Sequence, residues 1–151
     1  MSLMYIRLMY NNEESADLLK ALDNENNSSV INLNSRKIKS IKNDMLQKLQ
    51  MSGSMLKSYH AKLSNYRYVD DLEDVQYGCY IRWIPLQNPA VIKLTNGGTI
   101  VDIKILENGI HIVCKNNMNR IFQIKFDECM IFQKLTEQEN VIISVLDYLV
   151  K

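Results

Sequence analysis

Apolar and polar residues alternate with a period of two along most of the second half of the chain. The alternating runs are Tyr77–Ile84, Ala90–Thr95, Val101–Ile105, Ile110–Lys115 and Phe122–Phe126. Such alternation is typical of strands that bury one face. Short turn sequences separate the runs, and Asn96-Gly97, between Ala90–Thr95 and Val101–Ile105, is the strongest short hairpin signal. We therefore predict an antiparallel meander of four strands at spacings near ten residues, to which Cys129–Phe132 adds a fifth.

The predicted strands are short. About five short strands can bury an apolar face only by curling into a small barrel or by packing on a helix. Within the first run, Trp83 falls on the same face as Cys79 and Ile81. We therefore place Trp83 in the core of a small antiparallel barrel of about five strands. Pro85 should end its strand because proline has no N–H to donate.

A different period governs residues 36–50, where apolar side chains recur every three or four residues. The stripe consists of Ile38, Ile41, Met45 and Leu49. This spacing predicts an amphipathic helix over 36–50, with Ser35 as its N-cap. The following Met51–Ser54 contains a glycine, which costs about 1 kcal/mol in a helix interior relative to alanine. We expect the helix to weaken there and a second helical stretch to run to about Asn65.

A capping box, Thr136-Glu137-Gln138-Glu139, precedes the last apolar stripe of the chain. In this motif the hydroxyl and the carboxylate each satisfy a free backbone N–H at the start of a helix. The stripe consists of Val141, Ile142, Val145, Leu146 and Leu149. We predict a C-terminal helix that covers the mouth or an open edge of the barrel.

These patterns divide the chain into three parts. In residues 1–34 only Ala16–Leu22 has helical spacing, and the polar run Asp23–Ser29 interrupts it, so we predict a loosely held N-terminal arm. Residues 35–67 form a basic amphipathic helical segment. Residues 68–151 form the small β-barrel with its C-terminal capping helix. The predicted fold class is α+β.

Composition limits the partners that this chain attracts. Hydrophobic residues make up 46% and charged residues 23% of the sequence, which is typical of a packed domain. The net charge of +1 gives no overall field for nucleic acid or an anionic membrane. We find no run near the roughly 18 apolar residues of a membrane span and no basic region before the short N-terminal apolar run, so we predict no secretory signal. The three scattered cysteines favour a reducing compartment, the cytoplasm.

Few residues have the spacing of a catalytic or metal-binding site. Tyr68-Val69-Asp70-Asp71 matches the carboxylate motif of reverse transcriptases, but we interpret it as a solvated acidic connector that caps a short turn. The histidines and cysteines are His60, Cys79, His111, Cys114 and Cys129. They include no pair with the spacing of zinc ligands. We predict no catalytic residue, no metal and no cofactor, and therefore a non-catalytic protein.

The helix over 36–50 and the exposed face of the sheet are the candidate interaction surfaces. For a protein partner or self-association, the candidates are Ile38, Ile41, Met45, Leu49, Tyr80 and Arg82. For nucleic acid, the alternative, they are Arg36, Lys37, Lys39, Lys42 and Lys48 on phosphates, and Tyr59 and Tyr66 on bases. A third interpretation leaves the helix packed on its own barrel with a solvated lysine face. Our leading hypothesis is a binding or assembly module.

Two short stretches resemble known families. Val91–Asp102, with its Asn-Gly-Gly turn, is similar to the strand–turn–strand of Sm-like RNA-binding barrels and of Tudor-type barrels. The Sm-like resemblance implies a helix before a five-stranded barrel. Gly78–Ile84, the same turn and the abundance of asparagine resemble uncharacterised small proteins of large DNA viruses, over residues 51–150. That resemblance implies a virion or virus-factory protein and no particular activity.

Overall fold

The computed structural model describes residues 12–150, which form helices and one antiparallel sheet. The α-helices are α1 (Asn12–Asp23), α2 (Ser35–Gln47), α3 (Gly53–Lys62) and α4 (Glu137–Val150). The strands are β1 (Tyr66–Val69), β2 (Tyr80–Pro85), β3 (Gly98–Leu106), β4 (Gly109–Lys115), β5 (Ile121–Lys125) and β6 (Cys129–Lys134). Short 3-10 helices occupy Glu25–Val30, Leu72–Asp74 and Phe126–Glu128. The predicted α+β class is confirmed.

The six strands form one sheet in the order β1-β6-β2-β3-β4-β5, with every neighbouring pair antiparallel. The predicted closure into a barrel is wrong, because β1 and β5 end the order and do not pair with each other. The predicted strand Ala90–Thr95 and the hairpin at Asn96-Gly97 are wrong, because residues 91–97 belong to no strand and β3 begins at Gly98. The sixth strand is β1, which sequence reasoning divided between the helical segment and the acidic connector. Its side chains alternate in burial from Tyr66 to Val69, as expected of a strand with one face more deeply buried than the other.

One face of the sheet carries an apolar cluster built around Trp83. Its buried members are Val69, Val75, Ile81, Trp83, Ile100, Ile112, Cys114 and Ile131. Trp83 is 5% exposed, so its predicted place in the core is confirmed. The ring of Phe122 on β5 meets Trp83 on β2 edge to face, with 6.5 Å between ring centroids. Since two strands separate β2 from β5, this contact shows that the sheet curls strongly while staying open.

Helices α2 and α3 cover the opposite face where β1, β6 and β2 lie. The buried members of this second cluster are Leu46, Tyr59, Leu63, Ile84, Leu94, Met130 and Phe132. Strand β2 is therefore buried on both faces, with Ile81 and Trp83 in the first cluster and Ile84 in the second. A strand between two apolar layers needs apolar residues on both sides, which explains why β2 is apolar at nearly every position.

The start of α2 differs from the sequence prediction by one residue. The side-chain oxygen of Asn34 accepts a hydrogen bond from the Lys37 N–H at 2.8 Å, which is the bond an N-cap residue makes. Ser35, the predicted N-cap, is the first helical residue. Its N–H donates to a carboxylate oxygen of Asp147 at 2.8 Å, and its hydroxyl donates to the other oxygen of that carboxylate.

The contacts divide the described chain into two compact units. One contains the residues up to Lys37 and those from Thr136, and the other is Ile38–Leu135. In the first unit, Leu18, Ala21, Val30, Ile142 and Val145 form a buried apolar cluster. The loosely held arm predicted for residues 1–34 is thus wrong for 12–34, where α1 and the 3-10 helix bury their apolar side chains. Residues 1–11 lie outside the described residues.

Helix α4, predicted to cover the barrel, belongs to the first unit, where its Ile142 and Val145 are buried against α1 and Val30. Its capping box is confirmed. The Thr136 N–H donates to a Glu139 carboxylate oxygen at 3.0 Å, and the Glu139 N–H donates to the Thr136 hydroxyl oxygen at 3.1 Å. The acidic connector also caps a short turn as predicted, because the carboxylate of Asp71 accepts from the Glu73 N–H at 3.2 Å.

Candidate interaction site

Strand β5 forms one edge of the sheet and pairs only with β4 within residues 12–150. At its start, the Asn116 N–H donates to the Arg120 carbonyl at 2.9 Å. Hydrogen-bonded pairs recur every second residue of an antiparallel ladder. The backbone groups of Phe122 and Ile124 therefore point toward β4, and those of Ile121, Gln123 and Lys125 point away from the sheet.

The side chains of this edge are unusually apolar for exposed positions. Ile121 is 68% exposed and Phe122 is 40% exposed. An edge strand with free backbone groups and exposed apolar side chains is a template for pairing with another chain. The edge is short, since β5 spans five residues, and a basic residue lies at each end, Arg120 before it and Lys125 within it.

A cleft of about 390 Å³ lies beside this edge, between β5 and the segment that leads into β3. Trp83 lines it from β2, Leu94 from the segment before β3, and Phe122 and Ile124 from β5. The remaining lining includes Lys93, polar side chains and the backbone of Gly97, and it contains no carboxylate. A mostly apolar cleft of this size with a few polar groups is the usual form of a small binding pocket.

The segment opposite β5 is fixed by hydrogen bonds to β2. The Thr95 N–H donates to the Trp83 carbonyl at 2.9 Å, and the Trp83 N–H lies 3.2 Å from the Thr95 hydroxyl oxygen, to which it donates. The Arg82 side chain donates to the Thr95 carbonyl at 2.8 Å. The Tyr80 hydroxyl donates to the Asn96 carbonyl at 2.7 Å. This wall of the cleft is therefore held in place before any ligand arrives.

Tyr80 and Arg82 were predicted to contact a partner. The structure places both side chains half-buried, with their hydrogen-bonding groups directed at residues 95 and 96. Their position beside the cleft makes them supports of its wall. Direct contact of either side chain with a partner stays a prediction.

The predicted stripe on α2 is turned relative to the face that the helix buries. The buried residues of α2 are Ile38, Lys42 and Leu46, and Met45 and Leu49 pack at the margin of the second cluster. Ile41 lies at 39% exposure. Most of the stripe is thus used within this chain, as the third interpretation proposed, which leaves Ile41 as its exposed member.

The predicted nucleic-acid residues are not all at the surface. Arg36, Lys37, Lys39 and Lys48 are exposed. Lys42 is 4% exposed, and its ammonium donates to the Leu63 carbonyl at 2.8 Å. Tyr59 is buried, where its hydroxyl donates to the Ile92 carbonyl and accepts from the Leu94 N–H. Tyr66 is half-buried, and burial raises the pKa of its phenol. Lys42 is therefore not one of the exposed cations of the α2 surface, and Tyr59 is unavailable for base stacking.

Two of the cysteines are held as thiols by their surroundings. Burial raises the pKa of Cys114 to about 12, and burial together with the neighbouring Glu128 and Asp127 raises the pKa of Cys129 to about 11. Since the thiolate is the nucleophile, neither residue is prepared for covalent catalysis. Among residues 12–150, no three His, Cys, Asp or Glu side chains are grouped in a way that suits a metal ion.

Sequence reasoning placed Phe122 and Ile124 on a strand but did not identify β5 as the edge of the sheet. The alternation of apolar residues reports which face of a strand is buried, while the position of that strand in the sheet depends on long-range pairing. Ile121 offered one signal, because an isoleucine on the polar face of a strand has no place in the core.

Comparison of the chain with protein-family models, with curated proteins and with solved structures gave no match. The resemblances to small RNA-binding barrels and to proteins of large DNA viruses therefore stay predictions. No helix within the described residues is both long enough and apolar enough to cross a membrane.

Proposed function

We propose that this protein is a non-catalytic binding module that captures an extended segment of another protein along β5. The segment adds a strand to the open edge, and one of its apolar side chains enters the cleft between Trp83 and Phe122. Strand addition of this kind takes affinity from backbone hydrogen bonds and specificity from pockets for alternate side chains.

The observation that carries the proposal is the combination of a free edge and an adjoining apolar cleft. The edge presents the backbone groups of Ile121, Gln123 and Lys125. The cleft is lined by two aromatic rings, those of Trp83 and Phe122. Either feature alone is common in small domains. Together they supply the two kinds of contact that an extended peptide needs, within one continuous surface.

The cations around the cleft and β5 favour a partner of opposite charge. Lys93 lines the cleft, and Arg120 and Lys115 are exposed beside β5. The only ion pair of this region within the described residues joins Lys125 to Glu128 at 3.6 Å. A second copy of this strand would bring the same cations together, and like charges at an interface oppose association. The favoured partner is therefore a segment that alternates apolar and acidic residues.

The test uses proline, which removes one outward-pointing N–H. Gln123→Pro deletes a donor that faces the partner and spares the bonds of β5 to β4, because proline is tolerated on the free side of an edge strand. Gln123→Ala is the matched control, since it keeps that N–H. Random peptides displayed on phage are selected against the immobilised protein, and a selected peptide is then measured by calorimetry with each variant.

We expect the selected peptides to alternate apolar and acidic residues. Gln123→Pro should abolish binding, and Gln123→Ala should preserve it, with equal thermal midpoints for the two variants. Phe122→Ala should weaken binding because it removes one wall of the cleft. Equal affinity of the proline and alanine variants would refute strand addition at β5. Selection of peptides without acidic residues would refute the charge argument.

Nucleic acid is the second candidate, and the exposed cations of α2 are the observation that favours it. Arg36, Lys37 and Lys39 lie on α2 and Lys48 directly follows it, and all four residues are exposed. A short single-stranded oligonucleotide serves as the probe. Binding that weakens steeply with salt, and whose salt slope becomes shallower when these four residues are changed to Gln, would support this function.

A further inference from the structure

A second cleft, of about 320 Å³, lies between α2 and the end of α3. Its lining consists of Lys39, Lys42, Asn43, His60 and Ser64. None of these residues carries a carboxylate, and all five lie in the sheet unit. The cleft is at the small end of the range that ligand sites occupy, so its natural occupant is a small group.

Lys42 gives this cleft an uncompensated charge. Its side chain is almost fully buried, and its ammonium donates one hydrogen bond, to the carbonyl of Leu63 at the end of α3. Burial, followed by the charge of Lys39, lowers the pKa of Lys42. No carboxylate of the described residues forms an ion pair with Lys39 or Lys42. Buried charges are normally paired, but the Lys42 ammonium has no counter-charge in the described part of the chain. Two of its three N–H donors remain free for a ligand.

The other polar groups of the cleft are also arranged as donors. The side-chain oxygen of Asn43 accepts from the Gln47 amide at 3.2 Å and lies 3.1 Å from the His60 Nε2 atom. With that oxygen engaged, the amide nitrogen of Asn43 is left to donate. Ser64, which is exposed at the rim of the cleft, adds a hydroxyl. Ammonium, amide and hydroxyl donors around one opening form a set that suits an oxyanion.

From these contacts we infer that the cleft between α2 and α3 binds a phosphate-type oxyanion through Lys39, Lys42, Asn43 and Ser64. The anion supplies the counter-charge that Lys42 lacks and accepts hydrogen bonds from the neighbouring groups. The partial negative charge at the end of α3 does not oppose this binding directly, because the Lys42 ammonium caps the Leu63 carbonyl. This site is independent of the proposed peptide surface on β5.

The experiment titrates inorganic phosphate into the full chain and follows backbone amide shifts by NMR. Lys39→Gln and Ser64→Ala test the site through exposed residues that the fold does not need. Lys57→Gln is the matched control, because Lys57 is an exposed lysine of α3 that does not line the cleft and its loss changes the net charge equally. Further arms use a nucleoside monophosphate and a short single-stranded oligonucleotide.

We expect saturable shifts at residues 39–43 and 60–64, with affinity reduced about ten-fold by Lys39→Gln, as the loss of a charge-assisted hydrogen bond predicts. Ser64→Ala should reduce affinity less, and Lys57→Gln should leave it unchanged. Tighter binding of the oligonucleotide, lost in the same variants, would place the phosphate on a nucleic acid. Tighter binding of the monophosphate would place it on a small ligand. Shifts that do not saturate, or an equal effect of Lys39→Gln and Lys57→Gln, would overturn the inference.

Discussion

Gly97 occupies a position that only glycine fills. Its φ of +83° lies in the left-handed region, which side chains with a Cβ rarely adopt. A Cβ at this position would also stand 2.0 Å from the Ile81 carbonyl oxygen. Gly78 has the same φ, but a Cβ there would meet nothing within 4 Å. Comparison of the two glycines therefore distinguishes the energetic cost of a left-handed backbone from the cost of a close backbone contact.

We expect Gly78→Ala to cost about 1 kcal/mol of the free energy of unfolding, the price of a left-handed conformation. Gly97→Ala should cost about 3 kcal/mol or more, because the segment opposite β5 must also move away from β2. Urea unfolding of both variants measures the difference. Equal costs would show that the segment around Gly97 moves away from Ile81 with little loss of stability. This wall of the cleft would then be flexible.

The buried thiol of Cys114 makes stability depend on alkaline pH. Its pKa of about 12 in the folded protein is above the ordinary value of 9 that the unfolded chain should show. A raised pKa stabilises the fold fully below about pH 9, and this contribution falls as the pH rises from there toward 12. Between pH 8 and pH 10.5, wild type should therefore lose more stability than Cys114→Val, as measured by urea unfolding. Parallel losses in the two proteins would contradict this assignment.

Lys42 shows why the phase of α2 was misjudged. A lysine within an apolar stripe is normally assigned to the solvent face, because a buried ammonium needs a partner. Here the partner is the Leu63 carbonyl at the end of another helix, which no local pattern reveals. The apolar stem of the lysine then fills the centre of the buried face, and Ile41 is displaced toward solvent.

At the scale of elements, the start of α2 shows how much an N-cap hydrogen bond contributes to stability. Asn34 supplies the N-cap bond to Lys37, so Asn34→Ala should cost about 1 kcal/mol of unfolding free energy. Asn34→Asp should retain most of the stability, since its carboxylate accepts the same bond. Asn32→Ala is the control, because the Asn32 side chain is exposed and makes no hydrogen bond within the described residues.

Thermal and urea unfolding measure these variants. If Asn34→Ala proved neutral, the Ser35–Asp147 bonds would be sufficient to define the start of the helix.

Most elements of this fold were predictable from local signals. The turn at Glu107–Gly109, the alternating runs other than Ala90–Thr95, and the capping box at Thr136 correspond to a real turn, real strands and a helix cap. The weaker signals failed where the deciding contact is distant. Strand β1 was missed because four residues are too few for a clear period, and its identity depends on pairing with β6.

At the scale of the whole molecule, strand order and the division into units were not predictable. The sequence places α4 after the last strand, and adjacency suggested that it covers the sheet. Its apolar face instead packs with Leu18, Ala21 and Val30, from the other end of the chain. The candidate site has the same origin, because β5 became an edge only when β6 was placed between β1 and β2.

The central position of β6 has a consequence for the order in which the protein is made. Strands β1 and β2 leave the ribosome well before Cys129–Lys134, the strand that joins them. Until then their inner edges stay unpaired, and the pairing of β1 with β6 joins Tyr66 to Lys134, across almost half of the 151-residue sequence. Sheets that depend on such distant contacts fold slowly, in milliseconds to seconds.

We therefore expect a fragment of residues 38–128 to remain unfolded, with red-shifted Trp83 fluorescence that iodide quenches freely. The fragment Ile38–Leu135, which also lacks α4 but keeps β6, should bury Trp83 and emit at shorter wavelength. Equal emission from the two fragments would mean that the sheet forms around Trp83 without its last strand. Otherwise the growing chain carries half-formed strand edges until Cys129–Lys134 has been synthesised, so this strand determines when the sheet unit is protected from aggregation.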